Sequence, residues 1–195
     1  MSDKTQRLFD KKSFAVTRGH DFIDINGVKW ATCNLGAESP EDPGLYFRWG
    51  DKKGFYLDDT KCHNASWTMY DFDAYITPVW DDPAHALWGG KWRLPTAEEA
   101  DKLVKLCSRD PDYVDNSFHI RGQNFNLKLP RGGYINSNGG LKSKDTSSYF
   151  WIKNVERADS HFGTSMSFVK FYAVFRMVEP NPKNVAFNIR PVLDV

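Results

Sequence analysis

Residues 88–96 constrain what this chain can fold into more than any other segment. They read Trp-Gly-Gly-Lys-Trp-Arg-Leu-Pro-Thr, and residues 97–100, Ala-Glu-Glu-Ala, favour a helix directly afterwards. The two tryptophan rings bring large apolar area to a core, while the Gly-Gly pair and the proline favour a turn and a sharp corner. The segment therefore predicts a nucleus of the fold and shows no obvious catalytic use.

The composition indicates one compact β-rich domain with a surface for recognition. The chain has 195 residues, enough for a single domain with a sizeable core. Aromatic residues make up 15% of it, and such residues dominate the energetics of both cores and interfaces. Lys and Arg number 26 against 25 Asp and Glu, so the charge gives no footprint for nucleic acid, which is not expected as a partner.

Cysteine usage and hydropathy indicate where the chain is made. Cys33, Cys62 and Cys107 are an odd number without CxxC spacing, so we expect reduced thiols rather than a disulfide framework. The amino end lacks the apolar core of a signal peptide, and no apolar run reaches the ~20 residues of a membrane span. Cytoplasmic synthesis is therefore expected. Release on a virion or by lysis, or removal of a leader, would still place the protein outside the cell.

The amino-terminal segment differs in character from the rest of the chain. Residues 1–20 are charged and show no periodicity. We expect them to form an arm or tether, one that docks onto other virion or cell-surface subunits, and the alternative is a frayed terminus. Residues 21–195 are then expected to form the domain.

Local patterns predict two helices in the first half of the chain. Asp82 is placed as the N-cap of a short helix with Pro83 at its first position. Thr96 and Glu99 have the spacing of a capping box, which predicts a longer helix that continues through residue 107.

Antiparallel strands are predicted for most of the remainder. Asn26 and Gly27 favour the type I′ turn of a tight hairpin between residues 22–25 and 28–31. Further extended segments are predicted at residues 45–49, 124–129, 131–136, 148–153, 166–177 and 185–193. The predicted fold class is α+β, with two helices, an antiparallel sheet and long loops.

Six segments in a fixed order carry a resemblance to a known family. They are Gly-Val-Lys-Trp-Ala-Thr-Cys-Asn-Leu-Gly at 27–36, Gly-Leu-Tyr-Phe-Arg-Trp-Gly at 44–50, Ala-Leu-Trp-Gly-Gly-Lys-Trp-Arg-Leu-Pro-Thr at 86–96, Leu-Pro-Arg-Gly-Gly-Tyr at 129–134, Ser-Tyr-Phe-Trp at 148–151 and Asn-Ile-Arg-Pro-Val at 188–192. Together they resemble the Fibrobacter-type major paralogous domain, which is common in Bacteroidetes-like bacteria and their phages. The resemblance covers residues 21–193 and implies a fold of the C-type-lectin-like and formylglycine-generating-enzyme-like kind.

The resemblance also implies roles. Members of that fold bind sugars, proteins or host surfaces, and a few are enzymes. Proteins diversified by retroelements use the same fold for display, with variable residues that correspond here to residues 150–189. Scaffold roles are implied for Trp30, Trp49, Trp88, Trp92, Arg93, Pro95, Gly132 and Gly133.

A recognition surface is predicted in the last third of the chain, where aromatic and basic residues mix with small polar ones. Strand alternation predicts that Tyr149, Trp151 and Lys153 face outward and that Phe150 and Ile152 face the core. The alternative is that Trp151 is buried against a neighbouring loop. The predicted ligand-contact residues are Tyr149, Trp151, Lys153, Asn154, Arg157, His161, Tyr172 and Arg176.

Glu179, Pro180 and Asn181 form the tripeptide by which sugar-binding C-type lectins ligate calcium. A carboxylate and an amide carbonyl beside a rigid proline present two hard oxygens to Ca²⁺. Those lectins add a Trp-Asn-Asp segment further on, whereas residues 186–188 here read Ala-Phe-Asn and lack one carboxylate. We therefore expect a proline-containing turn and no cofactor, with calcium bound by Glu179 and Asn181 as the alternative.

The catalytic patterns of the related enzymes are not expected in this chain. Cys62 and His63 are adjacent, and neighbours in an extended segment point to opposite faces. The late cysteine pair of formylglycine-generating enzymes has no counterpart, since the last cysteine is Cys107, and the five histidines show no ligand spacing. The sequence thus predicts a non-enzymatic adhesion domain that binds a host-surface glycan or protein and is displayed on a phage particle or bacterial surface. The alternatives are a structural virion or assembly protein and an enzyme like the formylglycine-generating group.

Overall fold

The computed structural model describes residues 20–57, 82–107, 115–153, 162–170 and 174–194. Within these ranges the chain is mostly β-strand with two short helices, which confirms the predicted α+β class. The helices are α1, Pro83–Trp88, and α2, Ala97–Leu106. The predicted arm and the Cys62–His63 pair lie outside the described residues.

Thirteen short strands are described, and every assigned pair of them is antiparallel. They are β1 Phe22–Ile25, β2 Val28–Ala31, β3 Phe47–Arg48, β4 Trp92–Arg93, β5 Ser117–Arg121, β6 Asn126–Pro130, β7 Tyr134–Ile135, β8 Leu141–Lys142, β9 Ser147–Trp151, β10 Phe162–Lys170, β11 Val174–Pro182, β12 Ala186–Phe187 and β13 Val192–Leu193. The sheets have the orders β1-β2-β13-β4, β11-β10-β9, β3-β12-β7-β8 and β5-β6.

The first hairpin forms as predicted. Asn26 and Gly27 have φ angles of 53° and 84°, the two positive values that a type I′ turn requires. The carboxylate of Asp24 accepts a hydrogen bond from the Gly27 amide at 2.9 Å. These local interactions set the register in which Ile25 pairs with Val28.

Both helices begin at the predicted caps. Asp82 Oδ1 accepts from the amide of Ala84 at 2.8 Å, while its Oδ2 accepts from the amide of Leu94 at 2.6 Å, so one carboxylate ties α1 to the segment after β4. Thr96 and Glu99 form the reciprocal capping box of α2. This helix ends at Leu106, one residue before the predicted end.

Two strand predictions need correction, and three strands were not predicted. Residues 166–177, predicted as one strand, are divided between β10 and β11, which pair with Phe168 opposite Arg176. Residues 185–193 are likewise divided, between β12 and β13, and the strands without a prediction are β4, β5 and β8. The hairpin formed by β10 and β11 was missed because residues 170–174, Lys-Phe-Tyr-Ala-Val, contain none of the Gly, Pro or Asn residues that mark a turn.

Two apolar clusters meet at β9. The larger one joins α2 to β5, β6 and one face of the β9–β10–β11 sheet, and it includes Phe150 and Ile152. The second lies against β3 and β12 and includes Trp151 and Phe187. Consecutive side chains of β9 therefore enter different clusters, and this strand is buried on both faces.

Two arginines join distant parts of the chain. Arg93 donates to both carboxylate oxygens of Glu99, at 2.9 and 2.7 Å, and to Asp194 at 2.6 Å. Arg190 is fully buried and donates to Asn34 Oδ1 at 2.7 Å and to backbone carbonyls at the end of β2 and in β6. A planar guanidinium suits such junctions because it offers five donors in a fixed geometry.

Candidate ligand-binding face

The β9–β10–β11 sheet has one apolar and one polar face. On the apolar face Met166 lies opposite both Phe150 and Val178, beneath α2. On the other face Ser165 lies opposite Glu179 and Trp151, and Ser167 lies opposite Met177 and Tyr149. We call the second side the polar face and define it by Tyr149, Ser165, Ser167, Met177, Glu179 and Asn181.

Two hydrogen bonds join β10 and β11 across the polar face. Ser167 Oγ donates to Glu179 Oε1 at 2.7 Å, and Asn181 Nδ2 donates to Ser165 Oγ at 2.9 Å. Both serines are buried, whereas Glu179 and Asn181 are half-buried. Among the described residues no donor reaches Glu179 Oε2 or Asn181 Oδ1, so the face offers two hydrogen-bond acceptors.

Tyr149 borders these acceptors with a half-buried ring. The ring stacks on Phe187 with centroids 5.0 Å apart and meets the edge of Tyr134 at 5.1 Å. Burial raises the pKa of Tyr149, a hydrogen bond with Ser147 opposes this, and the nearby charges of Glu179 and Tyr134 raise it further. The phenol therefore stays protonated at neutral pH.

The prediction that Trp151 faces outward is wrong. The side chain is 2% exposed, and its Nε1 donates to the carbonyl of Phe47 at 2.7 Å. Its ring packs on Phe187 with centroids 4.3 Å apart and meets Trp49 edge-on at 5.1 Å. The alternative of burial against a neighbouring loop is correct, because β3 and the residues after it cover this side of β9.

The other predicted contact residues are not brought together. Lys153 is exposed, and its amide donates to the carbonyl of Pro95 at 2.7 Å. Arg176 lies opposite Phe168 on the apolar side of the sheet, so it is separated from Tyr149 by the sheet itself. Asn154, Arg157, His161 and Tyr172 lie outside the described residues.

The residues with implied scaffold roles lie in packed positions or tight bends. Trp30 is buried in the larger cluster, and Trp49 packs directly over Gly163. Trp88 stacks on the ring of His20 at 3.6 Å and meets Trp92 edge-on at 5.0 Å. Gly132 and Gly133 lie where a side chain would not fit. A Cβ on Gly133, whose φ is 69°, would collide with the carbonyl oxygen of Lys142, and a Cβ on Gly132 would lie 2.8 Å from Pro43 Cβ.

The expected turn at residues 179–181 is a further correction. Glu179 and Asn181 lie within β11, and because they are two residues apart on a strand, their side chains share one face. Pro180 is tolerated since β11 is an edge strand of its sheet in the described structure. No group of three or more His, Cys, Asp or Glu side chains in the described ranges is arranged to hold a metal ion.

The described cysteines are Cys33 and Cys107, and both are free thiols. Burial raises the pKa of Cys107 to about 11, with the charge of Arg176 acting in the opposite direction. The thiolate of Cys107 is therefore scarce at neutral pH. Cys62 lies outside the described residues.

Sequence reasoning missed Ser165, Ser167 and Met177 as parts of this face. A signal was present, because residues 165–168 read Ser-Met-Ser-Phe, the alternation of a strand with one polar face. Comparison with known protein families, curated proteins and solved structures finds no match to this chain. In the described parts of the chain, no helix has the length and apolar character needed to cross a membrane.

Proposed function

We propose that this protein is a non-enzymatic recognition domain that binds a surface glycan through its polar face. The observation that carries the proposal is the half-buried Tyr149 ring on the same sheet face as the acceptor oxygens of Glu179 and Asn181. This face is accessible at Met177, which is 45% exposed. A sugar ring presents apolar C–H surface beside hydroxyl donors, and an aromatic ring with neighbouring acceptors complements both.

The scaffold that we propose is C-type-lectin-like, on the resemblance of the six ordered sequence segments. The α+β arrangement, with antiparallel sheets and apolar clusters on both sides of β9, supports this assignment. Display on a phage particle or bacterial surface, with residues 1–20 as the tether, belongs to the same proposal and rests on the same resemblance.

Binding rather than catalysis is proposed because of the groups that the polar face contains. Nucleophilic catalysis requires a reactive hydroxyl or thiol that a substrate can approach. Ser165 and Ser167 are at most 1% exposed and are already hydrogen-bonded across the sheet. The Cys107 thiol is buried in the larger apolar cluster, away from this face.

The test is binding of the purified, labelled protein to a broad glycan array and to intact bacterial cells, with and without EDTA. We expect saturable binding that Asn181→Ala weakens about fivefold, because one hydrogen bond with a net value of ~1 kcal/mol is lost. Asn138→Ala is the matched control, since Asn138 is exposed at a loop tip between β7 and β8.

Each outcome of this test has a distinct meaning. Loss of binding in EDTA would add calcium to the proposal, with Glu179 and Asn181 as its ligands. No binding to glycans or cells would contradict the proposal and favour a structural subunit that packs on other proteins of the same particle.

A further inference from the structure

We infer that the polar face selects glycans that carry free amino groups, with the ammonium held between Glu179 and the ring of Tyr149. The inference rests on the proposed function and names the chemical class of its ligand. It is carried by the charge environment of Glu179 and by the groups that surround this carboxylate.

The negative charge of Glu179 has fewer stabilising partners than the charges of other partly buried carboxylates. Glu99 is paired with Arg93 at 2.7 Å, and Asp115 is paired with Lys128 at 3.1 Å. Asp82 accepts three hydrogen bonds from backbone amides. By contrast, within the described residues Glu179 receives one hydrogen bond, from the neutral hydroxyl of Ser167.

No cation of the described residues forms an ion pair with Glu179. The side chain of Lys183 is buried, and its Nζ lies 5.9 Å from the centroid of Trp49. Lys153 follows β9 and is exposed. Arg176 is on the opposite side of the sheet.

The neighbours of Glu179 suit an ammonium group better than a neutral hydroxyl. An ammonium has three N–H donors and no acceptor, and the described face offers it Glu179 Oε2 and Asn181 Oδ1. The face of an aromatic ring attracts a cation. Tyr149 and Glu179 both adjoin Ser167 on this face, Tyr149 as its partner in the strand register and Glu179 through the 2.7 Å hydrogen bond. Met177 adds an exposed, polarizable side chain to the same surface.

The experiment compares two oligosaccharides with the same backbone. Binding of a glucosamine tetramer with free amines and of its fully N-acetylated counterpart is measured by calorimetry at about pH 6, above the usual pKa range of a glutamate side chain. We expect the free-amine tetramer to bind at least about tenfold more tightly, since hydrogen bonds to charged groups are stronger than neutral ones.

Glu179→Gln separates charge from shape, because its amide oxygen can still accept from Ser167. We expect this variant to lose the preference for the free-amine tetramer and to keep the affinity for the acetylated one. The matched control is Glu98→Gln on α2, where Glu98 is 79% exposed and bonded to Lys102. A melting temperature equal to that of the wild type shows that each variant is folded.

Two results would overturn the inference: equal affinity for the two tetramers, or a preference that Glu179→Gln leaves intact. If neither tetramer binds while neutral glycans bind on the array, the inference fails and the proposed function stands. If no glycan binds in either experiment, both fail.

Discussion

On one face of the β9–β10–β11 sheet, Phe150, Met166 and Phe168 pack beneath α2, whereas on the other face Ser165 and Ser167 lie beneath Glu179 and Asn181. Both sets are buried to the same degree, at no more than 1% exposure. The two faces differ in the residues that bury them, which are apolar on one side and form hydrogen bonds on the other. Burial alone therefore does not distinguish the face that packs in the apolar core from the face that we propose for recognition.

The polar face is itself divided along the sheet. At β9, Trp49, Trp151 and Phe187 close it with packed rings. At β11, Met177 is exposed, and Glu179 and Asn181 are half-buried. Access increases from Trp151 on β9 toward β11, so the surface that we propose for binding lies at β11 and the ring of Tyr149, and not at the tryptophan that the sequence favoured.

The largest expected change in stability comes from removing the Trp151 ring, which closes the β9 end of the polar face. Trp151→Ala removes a buried ring and leaves the Phe47 carbonyl without its donor. We expect a loss of about 3–5 kcal/mol in the free energy of unfolding, measured by urea denaturation. A variant that unfolds at the urea concentration of the wild type would show that Trp151 is not part of the core.

A smaller loss of stability is expected from adding a methyl group at Gly163, beneath the Trp49 ring. A Cβ on Gly163 would lie 2.5 Å from Trp49 Cε3, so Gly163→Ala must displace that ring and should cost about 1–3 kcal/mol. Gly140→Ala is the matched control, because its nearest neighbour, Asn136 Oδ1, is 3.4 Å away. Equal stability of the two variants would mean that Trp49 does not pack over the sheet.

How far the sequence determines this structure depends on whether the signal is local. The hairpin at Asn26 and Gly27 and the helix caps at Asp82 and Thr96 were predicted correctly, because a few adjacent residues specify each of them. The hairpin between β10 and β11 lacks turn residues, so its existence depends on pairing between distant positions. Arg190 gave no signal either, since its partners are up to 159 positions away along the chain.

The candidate site was predicted only in part, for a similar reason. Alternation separates core from solvent when one face of a strand is exposed, and β9 is covered on both faces, so it placed Trp151 wrongly. The tripeptide that ends at Asn181 drew attention to two side chains of the polar face, Glu179 and Asn181. It was assigned to a turn because proline is rare inside strands, although an edge strand such as β11 accepts it.

The most direct test of the polar face as a binding surface is a glycan titration of the wild type, Met177→Arg and Phe22→Arg. Met177 and Phe22 are 45% and 44% exposed, so neither change disturbs a packed core, and only Met177 lies on the polar face. Met177→Arg places a bulky cation beside Glu179, and we predict that it abolishes binding while Phe22→Arg binds like the wild type. Undiminished binding by Met177→Arg, or equal loss in both variants, would contradict a recognition site on this face.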